Sequence, residues 1–520
     1  MQTTRDELEL LIRSRYPVLY FLTWEEGRAE RLLRDLGATL SKKVYTWTVT
    51  RGFEGGLPGL SPSVLGDSGQ QNTPLAALGA VSQSPERAVF VLKDFHAFFD
   101  RPEVVRALRD LVGTLKQSFK TLVILSPVLA IPRELEKDVT VIDLPLPDTA
   151  EISGILEAML TTVRSDPRVQ VNAGPELKER IVKAALGLSA NEAENVFAKA
   201  IVHGRKLDEA DLPLILAEKK QILRKMGTLE YYDLSDGIGE VGGLDELKRW
   251  LNARTAAFSE RARAYGLPEP KGLLLLGVQG CGKSLTAKAI ASLWKLPLLR
   301  LDVGALFGSF IGSSEENLRK AIRIAESLSP CVLWLDEIEK GFSGVAGGGA
   351  SDAGTSARVF GGFLTWLQEK TKPVFVVATS NNIADLPPEL LRKGRFDEIF
   401  FVDLPDAVER ELIFKIHLQK KKRDPAKYDL KRLAAATEGF SGAEIEAAII
   451  EGMYESFGAN RDVSAADIEA AARGTVPLSK TSAESIAKLR AWAATRARSA
   501  SHKKDSSGTL RAAGGGDGRA

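Results

Sequence analysis

Two cysteines, four histidines and four methionines are all that this 520-residue chain contains of those residue types. So few thiols exclude a disulfide-built scaffold and fit a reducing compartment. Net charge is nearly absent as well, at +2. From Arg496 onward there are six basic residues against two acidic ones, so the remainder is close to neutral and has no basic footprint for nucleic acid. No apolar run approaches the roughly 20 residues a membrane-spanning helix needs. The opening residues, Met-Gln-Thr-Thr-Arg-Asp-Glu, lack the basic and apolar stretches of a signal peptide. A cytoplasmic protein without membrane association is expected. The H-E-x-x-H pattern of a zinc protease is missing too, so any proteolysis would need a separate partner.

What is present is ordinary globular composition, 44% hydrophobic and 27% charged, on a chain long enough for three or four units. Short apolar runs alternate with longer helical patterns, the mark of an α/β fold with a mostly parallel sheet. In the second half the strand candidates are Gly272–Leu276, Leu298–Asp302, Cys331–Leu335, Val374–Ala378 and Ile399–Val402, and beyond Pro405 the pattern turns helical. The first half holds fainter strands at Val18–Leu22, Ala88–Leu92, Thr121–Leu125 and Thr140–Leu144. Three echoes run in the same order through both halves: "VFVLKD" with "CVLWLD", "VTVIDLPLPD" with "IFFVDLPD", and "LGLSANEAE" with "EGFSGAEIE". They point to two copies of one module. The expected domains are a first copy over 1–205, a helical linker over 206–236, an α/β domain over 237–404, a helical lid over 405–480, and a Gly/Ser-rich basic tail over 481–520 without structure.

The sharpest motif is "GVQGCGKS", comprising Gly277, Val278, Gln279, Gly280, Cys281, Gly282, Lys283 and Ser284, with Leu285 next. It follows the apolar run "GLLLL" and precedes a helical pattern, as the chemistry requires. Glycines let backbone N–H groups curl around phosphates, and the helix N-terminus adds partial positive charge. Lys283 is suited to the outer phosphates of ATP and the Ser284 hydroxyl to Mg2+. About fifty residues on, "CVLWLDE" ends a buried strand in two acids. Asp336 suits the magnesium shell, and Glu337 suits activation of the attacking water. Asn381, closing the strand "VFVVATSN", is placed to sense the γ-phosphate.

"EVGGLDELKRWL", "GVQGCGKS", "CVLWLDE", "ATSNNIADLPPELLRKGRFD" and "GFSGAEIE" together resemble the successive motifs of the AAA ATPases. The resemblance implies a P-loop NTPase sheet with a helical lid. It makes Asn381 the first sensor and makes Arg392 and Arg395 arginine fingers that act on a neighbouring subunit's nucleotide. It further implies that Val241 and Gly242 pack on adenine, that His417 contacts the base, and that Gly442 and Ala443 close the lid side. Ala443 stands where other clades carry a sensor arginine, which favours protein remodelling over DNA loading. Phe310, Ile311 and Gly312 match the pore-loop element that grips a polypeptide, and a glycine-rich second loop runs from Gly341 to Ser356.

In the first copy, "TWEEGRAERLL" replaces the glycine loop and its lysine, and Phe95 stands where the catalytic glutamate would be, so this copy is expected to be a degenerate module that does not hydrolyse ATP. Such a module ahead of a working one resembles AAA proteins of unknown substrate from cyanobacteria and red-algal plastids. The resemblance implies an ATP- and magnesium-dependent ATPase but no substrate; the leading expectation is a homo-oligomer, expected to be a hexamer, that remodels or unfolds an unidentified protein partner. The competing expectation is a nucleotide-gated switch or scaffold that assembles with ATP and threads nothing.

Overall fold

A computed structural model describes residues 2–502, other than 55, 58–71, 164–169, 172–173, 205, 226–228, 233–240, 259, 308–312, 342–351 and 393. The chain divides into two compact units, Met1–Leu216 and Ala217–Ala520.

In the first unit, β1 (Val18–Leu22), β2 (Val44–Thr48), β3 (Gly52–Phe53), β4 (Val89–Lys93), β5 (Thr121–Ser126) and β6 (Val139–Asp143) form one sheet in the order β3-β2-β4-β5-β1-β6. Only β3 runs antiparallel to its neighbour. All five residues of β1 are buried, as expected of a central strand covered on both faces. Alternate residues feed opposite layers: Tyr20 and Phe90 join the apolar cluster of Trp47, while Phe21 and Val91 join that of Leu33. Helices Thr149–Val163, Pro175–Ala185 and Ala190–Gly204 follow, with a small ladder between β7 (Gln170–Val171) and β8 (Lys206–Leu207).

The second unit contains β9 (Leu229–Tyr232), β10 (Gly272–Gly277), β11 (Leu298–Leu301), β12 (Cys331–Leu335), β13 (Val374–Ser380), β14 (Glu398–Val402) and β15 (Arg498–Ser499), in the order β15-β14-β10-β13-β12-β11-β9. Its parallel core, β14-β10-β13-β12-β11, repeats strand for strand the order β6-β1-β5-β4-β2 of the first unit. The fold is therefore an α/β P-loop sheet with a helical lid, preceded by an AAA-like module with helices of its own. The lid is built from helices Ala407–Lys420, Leu430–Ala436, Gly442–Gly458 and Ala465–Gly474 around Phe414, Leu433, Ile445 and Ile468. Three of these helices start in reciprocal capping boxes, Asp406 with Glu409, Ser441 with Glu444 and Ser464 with Asp467, which satisfy N–H groups that helix starts leave open.

Two expected boundaries are corrected. The segment 206–236 is not a plain linker, because β9 within it pairs antiparallel with β11 as the far edge of the second sheet. The segment 481–520 is not structureless throughout. Ala483–Arg496 is a helix whose Leu489 and Ala493 pack on Leu276 and Phe401, and β15 then adds to β14. Ile486, Leu489 and Ala493 lie at i, i+3 and i+7, a narrow stripe among alanines and basic residues. A two-residue edge strand needs only backbone pairing, which leaves no trace in side-chain pattern. Among the described residues no helix is long and apolar enough to cross a membrane.

Candidate nucleotide site

Strand β10 lies inside the parallel core, between β14 and β13, and the glycine loop hangs from its end. A Cβ on Gly277 would lie 2.0 Å from the Val402 carbonyl, so only glycine lets β10 and β14 run this close. Gly280 is in the left-handed region (φ +76°), and a Cβ there would press on Ser441 and Ala443 of the lid. The loop thus meets both walls, and Ala443 N donates to the Gly280 carbonyl at 3.1 Å.

Helix Lys283–Trp294 opens directly from the loop. Lys283 is only 6% exposed, and its Nζ donates to the carbonyls of Gly277 (2.8 Å) and Val278 (2.7 Å). Burial pulls its ammonium down to about 8, so the site carries a desolvated cation that a polyanion would stabilise. Burial likewise pushes the Cys281 thiol up to about 12, which keeps it a thiol rather than a nucleophilic thiolate.

The two acids at the end of β12 are joined to this loop by a chain of hydrogen bonds. Ser284 Oγ donates to Asp336 Oδ1 at 2.9 Å, and Thr379 Oγ1 donates to the same oxygen at 2.6 Å. Thr379 Oγ1 also accepts from Glu337 N at 3.0 Å. Glu337 adopts a left-handed backbone (φ 50°), uncommon for a residue with a side chain, and this turns it out of the strand direction. Asn381 Nδ2 donates to Glu337 Oε1 at 3.0 Å, while Lys340 pairs with Oε2. Behind them Glu339 accepts from Asn381 N at 2.9 Å and fixes the end of β13.

These groups face a cavity of about 630 Å³, within the range of small-ligand sites. It gathers Val241, Gly242, Gln279 to Leu285, Asp336, Glu337, Asn381, His417, Gly442 and Ala443. Gly277 and Val278 act from behind it, through the carbonyls that hold Lys283. His417 lies on helix Ala407–Lys420, with Nδ1 3.7 Å from Glu446 and burial holding the imidazole below its usual range. The residues present suit ATP with magnesium: a hydroxyl and a carboxylate side by side, Ser284 and Asp336, are a typical partial shell for an ion whose other ligands are phosphate oxygens and water.

Arg392 and Arg395 lie outside that cavity. Arg392 is exposed and lines a separate one with Gly394 and Tyr265, whereas Arg395 is half-buried, its Nη1 without a partner among the described residues. Phe310, Ile311 and Gly312, like most of the loop from Gly341 to Ser356, lie outside the described residues. Sequence reasoning missed Thr379, which clamps both acids, and Glu409, which lines the cavity from the lid. A hydroxyl two residues before Asn381 was the available sign for Thr379.

In the first unit the position of the glycine loop holds Glu25, only 6% exposed. Its Oε1 accepts from Ala190 N at 2.6 Å and its Oε2 pairs with Arg28 at 2.8 Å. Arg28 in turn is held two-pronged by Glu151. A carboxylate therefore sits at the helix start that echoes Gly442–Ala443, where the second unit uses the Gly280 carbonyl. Glu25 is thus consumed in fastening this module's own helices.

Comparison with known proteins agrees with this architecture. Residues 273–404 match the AAA family (ATPase family associated with various cellular activities), and residues 427–470 match the AAA+ lid domain. Residues 4–144 and 150–226 match the N-terminal and second domains of SpoVK-like AAA ATPases. The chain is 46% identical over 506 residues to the uncharacterized AAA domain-containing protein ycf46 of Pyropia yezoensis, covering 96% of this chain and 100% of that one. It is 43% identical over 504 residues to its counterpart in Trieres chinensis, covering 96% and 98%. The cell division cycle protein 48 homolog of Archaeoglobus fulgidus is 29% identical over 343 residues, 62% of this chain and 46% of that protein. With two sheets of one connectivity, a glycine loop joined to an Asp-Glu pair, and near-full-length similarity at this level, the chain belongs to the AAA ATPase family and, within it, to the ycf46 group.

Proposed function

We propose that the second unit hydrolyses ATP with magnesium, and that copies of the chain assemble into a ring, expected to be a hexamer, that remodels or unfolds a protein partner. The observation that supports hydrolysis most is the unbroken hydrogen-bond chain from Ser284 through Asp336 and Thr379 to Glu337 and Asn381, beside Lys283. Lys283 exchanges its two carbonyl partners for the outer phosphates, and the loop N–H groups hold the inner ones. Ser284 and Asp336 would hold magnesium, which would supply positive charge beside the outer phosphates. Glu337 takes the proton of the water that attacks the γ-phosphorus as the bond to ADP breaks, and Asn381 orients that water. Arg392 and Arg395 of a neighbouring copy meet the transferred phosphoryl group.

The remodelling part is tested at Phe310, which stands between Gly308 and Gly312 and matches the element that grips a polypeptide. Phe310→Ala is expected to keep most basal ATPase activity and to lose substrate-stimulated turnover. A packed core phenylalanine would instead cost about 3–5 kcal/mol on truncation. A lowered melting temperature with proportionate loss of every activity would refute the pore-loop role.

A second reading, a nucleotide-gated switch, is favoured by one observation. Both carboxylate oxygens of Glu337 are engaged, by Asn381 and by Lys340. A switch would turn over slowly, ignore any substrate, and assemble according to the nucleotide bound.

A further inference from the structure

The end of the described chain is fastened to the base side of the nucleotide cavity at several independent points. Ala500 is fully buried; its N–H donates to the Phe401 carbonyl at 2.9 Å, and its own carbonyl accepts from Leu247 N at 3.1 Å. Leu247 is in the first turn of helix Asp245–Asn252, whose cap residue Leu244 offers no side-chain hydrogen bond. The chain end thus supplies a partner that the helix start lacks. On either side, Arg498 and His502 reach the two oxygens of Glu246, each at 3.1 Å. Ser501 Oγ donates to Glu409 Oε1 at 2.5 Å, and Leu244 N donates to that same oxygen at 3.2 Å. One residue back, a Cβ on Gly243 would lie 2.2 Å from that carboxylate oxygen, so this junction is close-packed. Further up the chain, Arg490 Nε contacts both oxygens of Asp403 at 2.9 Å.

The targets of these contacts are not scattered. Glu409, Leu244 and Asp403 all line the nucleotide cavity, and Val241 and Gly242 line it from the segment that Leu244 ends. Glu409 stands in the first turn of the first lid helix, so its carboxylate is where the lid, the 241–244 segment and the chain end meet.

We propose that residues 497–502 are a positioning strap for nucleotide binding: seated on β14, they hold the 241–244 segment against the first lid helix and thereby shape the base-side wall of the cavity. This rests on the reading of the cavity as a nucleotide site. By linkage the coupling is reciprocal, so nucleotide favours the seated strap and an unseated strap weakens nucleotide.

The test is equilibrium titration with a fluorescent ADP analogue, mant-ADP, on four chains: full length, 1–503, 1–497, and full-length Ser501→Ala. Helix Ala483–Arg496 is kept in all of them, and melting temperature is measured alongside. The 1–503 chain is expected to bind as the full-length protein does. The 1–497 chain is expected to bind about tenfold more weakly, and Ser501→Ala about threefold, the scale of one net hydrogen bond lost from a strap that stays seated. A lowered melting temperature in 1–497 with unchanged affinity in both 1–497 and Ser501→Ala would show a merely structural strand and overturn the proposal. Failure of the full-length chain to bind mant-ADP would overturn the nucleotide reading itself, and the strap's role with it.

Discussion

Lys283→Ala is expected to weaken ATP binding by about a hundredfold or more, the combined effect of two charge-assisted hydrogen bonds worth roughly 1.5–3 kcal/mol each. The ammonium is nearly enclosed and held by two loop carbonyls, neutral acceptors that a phosphate would replace with full negative charge. Its removal leaves the phosphates facing Asp336, Glu337 and Glu339, whose fields act on this lysine, with no counter-cation of the loop's own. Equilibrium titration with an ATP analogue checks this, and near-normal affinity in the variant would remove the site assignment.

The second large effect concerns the two arginines outside the cavity. Arg392→Ala is expected to bind ATP normally and to lose turnover by about a thousandfold, the lower range for an arginine finger supplied by another subunit. Its exposure suits a group that acts beyond its own chain. Arg395, half-buried, is expected to combine a loss of turnover with some loss of stability. The proposed sharing of the site between copies leads to a sharper forecast. A Glu337→Gln chain still carries Arg392 and Arg395, and an Arg392→Ala chain still carries Glu337. Mixed rings of these two inactive chains should recover part of the activity, and demonstrated co-assembly without recovery would refute a shared site.

The parts of the site that could be read from sequence are those whose chemistry demands fixed spacing. The loop packs its fixed glycine, lysine and serine positions into eight consecutive residues, so Gly277 to Ser284 were visible without any structure. The strands were legible because central parallel strands are buried on both faces and read as short apolar runs; Cys331–Leu335 was placed to the residue. The duplication was legible in echoes at two pairs of corresponding strands and one pair of helix starts, and the two sheets share one strand order. Thr379 was hidden because a strand-end hydroxyl is common and its partner Asp336 is 43 residues away. The chain end was hidden for a different reason. Ala500 works through its backbone N–H and carbonyl, which every residue but proline carries, so no residue type marks the role. β9 escaped notice in the same way, as a four-residue edge strand inside a charged stretch.

Steady-state phosphate release from Mg-ATP by the purified full-length chain, beside a Glu337→Gln chain prepared identically, tests the central claim most directly. Glu337 is the group proposed to take the water's proton, held beside Asn381 in the cavity, and glutamine keeps its shape without its basicity. The expected result is continuous release by the unaltered chain and a fall of about a hundredfold or more in the variant, the scale of a general base's contribution, with ATP still bound. Equal release by both chains, or none by the unaltered chain while it binds ATP, would contradict it.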